Sequence, residues 1–388
     1  MAGRGGHRRD PLGRPERPPA RSGPASPWAD DRRDPPPPGP GGHRRDRGPT
    51  HPYVGTGTIR PAEPGGHRRD RGPTVAWVPA RSAHRLLRIN DSSAPPPKLR
   101  GWWCRTQPHP APRLDGHPML VRYGYEIGIT CEAPTPLICL LSVHPDLMRD
   151  LRAPESFFTT PAVPSSTHID LHGNRARRLV APAGAFSLWG DATVSVDGLF
   201  DVAYPAAREV AVPDLPSETL VYLQGSRYCE TDLLSQTAWD MFGHLAPGWS
   251  RVQAICDFVH QHVRFDYGEA RATRTAQETF EEGVGVCRDF AHLAVALCRA
   301  LNIPTRYVNG HISDIGLPPV LDPMDFSAWI EVYLDQGWCT FDPRNNSPRI
   351  GRIVVSRGRD AADVALISSF GPHELTNFRV WTYEVDAV

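Results

Sequence analysis

The pattern of apolar and polar positions changes character twice along this chain. From residue 119 it reads as short β runs. Met119-Leu120-Val121-Arg122-Tyr123-Gly124-Tyr125-Glu126-Ile127 opens with a strand-like alternation that continues to residue 131. An unbroken apolar run follows at 137–143, with shorter runs at 178–180 and 185–189. Pro, Gly and Asn-Arg clusters separate them, which predicts an antiparallel β domain, a sandwich, over 119–225. From about residue 230 the period becomes helical. Thr231-Asp232 precedes Leu233, Leu234, Ala238 and Phe242, an N-cap followed by an apolar stripe. Further helices are expected at 247–263, at 275–282 and from Cys287 to Leu301. Phe290, Leu293, Ala294, Leu297 and Leu301 form the buried face of the last, and Asn302 and Pro304 end it. Strands are expected at 305–312, 328–334 and 338–341, and an irregular, partly apolar tail after them.

Residues 1–118 show no such periodicity. They hold 24 of the 42 prolines and 22 Lys+Arg against 10 Asp+Glu. Pro and Gly interrupt every stretch long enough for a helix, so this part cannot bury a core and is expected to be disordered. The segment 40–50 returns unchanged at 64–74, and a shorter copy lies at 5–10, but the unit has no apolar face to stack as a solenoid. Three readings are open: a basic tail for acidic surfaces, disordered filler, or translated upstream DNA with the true start at Met119. The expected division is thus 1–118 as tail, 119–225 as β domain and 226–388 as an α+β core.

Charge alters this picture little. The formal net charge is zero, but only because a basic tail cancels an acidic remainder. The acidic folded part argues against a nucleic-acid partner. No run of 18 apolar residues suggests a membrane span, and the first 30 residues lack the apolar stretch of a signal peptide. Eight cysteines occur without a C-x-x-C, which argues against a zinc ribbon, and His144, His168 and His172 are isolated. A cytoplasmic protein with free thiols, no metal and no cofactor is the expectation; the oligomeric state is not readable.

The most specific chemistry lies at Gly283-Val284-Gly285-Val286-Cys287-Arg288-Asp289-Phe290-Ala291-His292. A glycine-punctuated loop runs straight into a helix that opens on a cysteine. A thiol there meets unpaired N–H groups and the positive end of the helix dipole, and both favour the thiolate. Its alkylation midpoint is expected well below the roughly 8.5 of a free thiol. Asp289, two residues on, is placed to cap the helix start. Cys256 and Cys298 fall on apolar helical faces and read as small buried hydrophobes.

Three further blocks follow in order: Asn302-Ile303-Pro304-Thr305-Arg306-Tyr307-Val308-Asn309-Gly310, Ala328-Trp329-Ile330-Glu331-Val332-Tyr333 and Gly337-Trp338-Cys339-Thr340-Phe341-Asp342-Pro343. Together with the Cys287 block they resemble the transglutaminase-like superfamily, whose core is related to papain-like cysteine proteases. The resemblance covers 275–346 well, extends more weakly over 119–388 toward a bacterial branch with an N-terminal β region, and does not touch 1–118. It implies a Cys-bearing helix packed on an antiparallel sheet, with Cys287 as nucleophile and Asp342 as the acid that orients a base. The base departs from the pattern. Where the family has His before Ala-Trp, this chain has Ser327, which cannot act as a general base near neutral pH but can hold a water or a substrate group. His311, at the end of the strand 305–312, is the main alternative base. His292 lies about 140° round the helix from Cys287 and points elsewhere, and His260 and His262 end an upstream helix.

Two readings follow. In the first, Cys287 attacks a peptide or carboxamide carbonyl and the thioester is resolved by water or an amine, hydrolysis being favoured. In the second, the missing His marks a pseudoenzyme that binds peptide or serves as a scaffold. No H-E-x-x-H, G-x-x-x-x-G-K-[ST] or strand-following G-x-G-x-x-G supports metal or nucleotide chemistry. The segment Arg357-Gly358-Arg359-Asp360 reads as a solvated turn in preference to a cleft rim, and the loop 313–324 as a pocket wall.

Overall fold

The alternation that begins at Met119 builds the longest strand pair of the protein. The computed structural model describes residues 74–76, 119–317 and 324–386. Fifteen strands are described: β1 Thr74–Ala76, β2 Met119–Cys131, β3 Thr135–Cys139, β4 Ser156–Thr160, β5 Ser165–Ile169, β6 Arg175–Ala181, β7 Gly184–Val196, β8 Arg264–Phe265, β9 Val284–Gly285, β10 Thr305–His311, β11 Ser327–Leu334, β12 Gly337–Phe341, β13 Ile353–Gly358, β14 Ile367–Ser369 and β15 His373–Val385. Four α-helices join them: α1 Thr231–Phe242, α2 Trp249–His262, α3 Ala276–Glu282 and α4 Cys287–Ala300.

Two antiparallel sheets make the expected sandwich, in the orders β15-β2-β7-β4 and β1-β14-β3-β6-β5. Alternate residues of their strands meet in one core: Tyr125, Ile127 and Ile129 from β2, Leu137 from β3, Leu179 from β6, Phe186 and Leu188 from β7. Two sequence expectations change here. The tail after residue 350 is not irregular. Phe378, Val380 and Thr382 alternate inward on β15, which pairs with β2 along its whole length. The sandwich is therefore completed by strands from beyond the expected boundary at 225/226. The expectation of disorder through residue 118 meets β1, which pairs antiparallel with β14; the rest of that expectation lies outside the described residues. The edge strand β5 gave no sequence signal because all five of its residues are exposed.

The second layer carries the chemistry. A four-stranded antiparallel sheet, β12-β11-β10-β13, packs against α4. On β11, Ala328, Ile330, Val332 and Leu334 face the helix cluster, while Trp329 packs on the opposite face with Val308, Ile312 and Val354. α4 is buried almost all round, with α1 and α2 joining the sheet to cover it. Ala291, Ala294 and Ala296 let those neighbours approach closely, and Phe290, Leu293 and Leu297 each contribute about 1.5–3 kcal/mol by leaving water. Asn302, at φ 63°, turns the chain out of the helix.

Local chemistry fixes where α4 begins. Thr275 and Glu278 form a capping box that starts α3, and Gly283 ends it in the left-handed region at φ 61°. The short parallel pair β8-β9 follows, then Cys287. Gly285 is required by space, since a Cβ there would stand 2.6 Å from that of Asp289.

Candidate active site

Asp289 holds the first turn of α4 in place. Its carboxylate accepts from the Val286 amide at 2.9 Å, closing the helix start. It also accepts from Arg288 at 2.8 Å and Arg274 at 3.2 Å, all three side chains being buried. This agrees with the capping role expected for Asp289. The arrangement leaves Cys287 at the head of the helix, part-exposed, on the floor of a cleft.

The cleft is narrow, about 20 Å³ in volume, and opens to solvent. Cys287, Tyr307 and the polar residues Asn309, Asp325 and Ser327 line it, and the segment 361–366 supplies an apolar wall through Ala361, Val364, Ala365 and Leu366. Cys287 and Ser327 are thus brought together. Asp342 is not on this cleft. It lines a second one with Asp201, Trp249 and Gln253. There it accepts from the Asn345 amide and side chain at 2.9 and 2.8 Å and pairs with Arg352 at 2.9 Å. Burial alone would raise its pKa, but Arg352 and Asn345 hold it below the usual carboxylate range.

The apolar wall corrects another expectation. Arg357-Gly358-Arg359-Asp360 is not a solvated turn. Arg357 lies in β13 and pairs with Glu331 at 3.0 Å, and Asp360, 1 % exposed, accepts from the Tyr228 and Ala362 amides at 2.8 Å. These bonds hold the start of the wall.

The thiol departs most from what the sequence implied. Burial pushes Cys287 up to about 11; Arg344 opposes this, Asp325 adds to it, and the Ala328 amide opposes it again. Desolvation thus acts against the lowering that the sequence reading expected from the helix terminus.

None of the four histidines considered lines the cleft. His260 Nδ1 lies 2.8 Å from the Arg344 carbonyl and His262 Nε2 2.7 Å from that of Phe280. His292 stacks on Tyr228 and accepts from the Ala361 amide at 3.1 Å, its pKa well below normal through burial and then Arg288 and Arg299. His311 sits between Tyr123 and Phe326, 3.2 Å from Thr382 Oγ1. It is not among the residues that line the cleft with Cys287. Burial pushes it from 6.5 down to about 3. The unfolded chain therefore takes this proton first, and stability falls as pH drops from about 6.5 toward 3. His311→Phe should lose about 2 kcal/mol less than the wild type between pH 7.5 and 5 in urea titrations. Equal losses would mean that the ring is not buried in its neutral form.

Sequence reasoning passed over Asp325 and Arg344. Asp325 stands two residues before Ser327, and burial raises its carboxyl to about 7 against the Phe326 amide and Arg344. Only its presence in Asp325-Phe326-Ser327-Ala328-Trp329 gave a hint. Arg344, which lowers both the thiol and this carboxyl, stacks over Phe265 at 4.0 Å.

Residues 236–343 match the family model of the transglutaminase-like superfamily. The crystal structure of a candidate cysteine protease from Cytophaga hutchinsonii is 31% identical, covers 70% of this chain and 92% of its own, and superposes with a TM-score of 0.62. The chain belongs to the transglutaminase-like superfamily. Among other relatives of this transglutaminase-like chain, the Mycobacterium leprae protein ML0607 is 24% identical over 218 residues, 53% of this chain and 76% of its own. The Mycobacterium tuberculosis protein Rv2569c is 28% identical over 198 residues, 44% and 62% respectively. Among the described residues no helix is long and apolar enough to cross a membrane, and no group of His, Cys, Asp and Glu has the spacing of a metal site.

Proposed function

We propose that this protein is a cysteine-dependent hydrolase or acyltransferase acting on peptide or carboxamide groups through a thioester at Cys287. The observation that carries this reading is the cleft at the head of α4, where the thiol meets three polar side chains and a wall of small apolar ones. Such a site suits an acyl group whose carbonyl approaches sulfur while its body lies on Ala361 and Val364. A peptide or protein substrate and a cytoplasmic location belong to this proposal and rest on the sequence reading. The resemblance to the Cytophaga protein supports the thiol chemistry.

One observation favours a second reading, a pseudoenzyme that binds peptide without turnover. Among the described residues no imidazole lines the cleft, and burial holds the thiol in its protonated form at neutral pH. The test is Cys287→Ala, assayed on the full chain with 4-nitrophenyl acetate and with a library of peptide amides. The enzyme reading expects a stoichiometric acylation and an amide turnover that both vanish in the variant. If the wild type acylates no faster than the variant, the binding module is the better description.

A further inference from the structure

Ser327 leaves the cleft without the usual proton carrier, yet acyl transfer from an amide needs one. The thiol must lose a proton as sulfur attacks, and the leaving nitrogen must gain one. That group has to share the cleft with Cys287. Tyr307 is buried, its hydroxyl pKa driven well above normal, so it does not exchange protons near neutrality. Asn309 and Ser327 do not titrate. Asp325 remains.

We propose that Asp325 is the proton-carrying catalytic residue of this cleft, its carboxylate serving Cys287 where the family uses imidazole. The assignment rests on the thioester reading given above. Three observations support it. Asp325 and Cys287 line the same cleft. They are close enough that charge on the carboxylate raises the thiol. The Ala328 amide, three residues from Asp325, reaches toward the same sulfur, so the start of β11 lies against the head of α4.

The environment supplies what an ordinary carboxylate lacks. An exposed aspartate, near 3.9, is too weak a base to serve a thiol at neutral pH. Burial brings this one to about 7, where both protonation states are populated and it can accept and return a proton in one cycle. The groups that face it are Arg344, which opposes the rise, the Phe326 amide, which donates to it, and the thiol itself. Because the thiol stands at about 11, no thiolate accumulates beforehand. The proton moves as the S–C bond forms.

The steps balance. Sulfur bonds to the carbonyl carbon, the S–H proton passes to Asp325, and the carbonyl π pair moves onto oxygen. The oxyanion collapses, the C–N bond breaks, and Asp325 returns the proton to nitrogen, giving amine and thioester. Water then attacks the thioester and gives one proton to Asp325. The C–S bond breaks, and that proton goes back to sulfur. The sum is amide plus water giving acid plus amine, with no oxidant, metal or cofactor.

The experiment measures acylation of Cys287 in the full chain by 4-nitrophenyl acetate from pH 5 to 10, with iodoacetamide alkylation in parallel. The activated ester makes acylation visible without knowledge of the natural substrate. In the wild type, acylation should rise through an apparent pKa near 7, below the alkylation midpoint. Asp325→Asn should abolish that inflection and lower the rate at pH 7.5 by about 10²-fold, the usual worth of a general base. The same variant should lower the alkylation midpoint, because a negative charge beside the thiol has gone. A merely electrostatic neighbour would move alkylation alone. If acylation follows the alkylation curve with no inflection near 7, or Asp325→Asn acylates as fast as the wild type, the assignment is overturned. The wild-type profile decides the matter even if the variant does not fold. Should Cys287→Ala retain acylation, the thioester reading itself has failed, a result distinct from failure of Asp325 alone.

Discussion

Ser327→His is expected to raise the rate of Cys287 alkylation by iodoacetamide at pH 7 by about 10²-fold. Ser327 and Cys287 border the same cleft, and Ser327 immediately precedes the Ala328 amide that reaches toward the sulfur. An imidazole added there can form an imidazolium–thiolate pair, the device by which cysteine proteases lower a thiol pKa by several units. Starting from about 11, the thiol is one part in roughly 10⁴ ionised at pH 7. A midpoint near 7 makes thiolate the prevalent form, a gain of nearly 10⁴. Intrinsic nucleophilicity falls with thiol pKa, with a slope of about 0.4–0.5, which returns nearly 10² of that gain. The remaining factor is the predicted one. Asp325, which lines the same cleft, would then orient the ring, since Asp342 is held in the second cleft by Arg352 and Asn345. Removing Asp325 from Ser327→His should therefore cost more than removing Asp342. An unchanged alkylation rate would show that position 327 does not present its side chain to the thiol.

The contrast between Ser327 and Asp325 shows what the sequence could and could not convey. The helix that begins at Cys287 was legible because its elements are local. Gly283 supplies a left-handed turn, Asp289 closes the cap, and the apolar spacing from Phe290 to Leu301 repeats at the helical period. The strands carrying Tyr307, Trp329 and Phe341 were legible for the same reason, within one residue or so of their ends. Asp325 was not, because an aspartate near a strand start reads as an ordinary turn residue. Its altered basicity comes from burial, which only the folded chain creates. The thiol failed in the same way. A helix N-terminus is visible in sequence, whereas the desolvation that overrides it depends on Tyr307, Phe326 and a wall arriving from residues 361–366. That wall, like β15, packs on partners distant in sequence, the Ala361 amide on His292 69 residues back and β15 on β2 more than 240 residues back, so its local pattern gave no sign of where it would pack. The placement of Asp342 is a third case. The motif around it matched its family block, but Arg352, ten residues later, draws the carboxylate into an ion pair.

Asp289→Ala is expected to cost about 3–5 kcal/mol of stability, the range for removing one partner of a buried ion pair. Asp289 and Arg288 are fully buried and Arg274 is 3 % exposed at the side chain. Arg288 keeps its bonds to the carbonyls of Ala272 and Arg271, and Arg274 keeps Glu282 and the Glu269 carbonyl. Arg274 is left with Glu282, which is about one-third exposed and screened by water. The cost is therefore chiefly that of positive charge left in a poorly solvated place, together with an orphaned Val286 amide at the helix start. Asp289→Asn separates the two contributions. Its amide oxygen can still accept from Val286 while the negative charge is gone, so it should fall between wild type and alanine in the urea midpoint. The thiol gives a second readout. If the first turn of α4 frays, Cys287 gains water and loses the desolvation that raises it, so its alkylation midpoint should drop from about 11 toward that of a free thiol. A loss below 1 kcal/mol with an unmoved midpoint would mean that water replaces the carboxylate without strain, and that Asp289 does not hold the nucleophile in place.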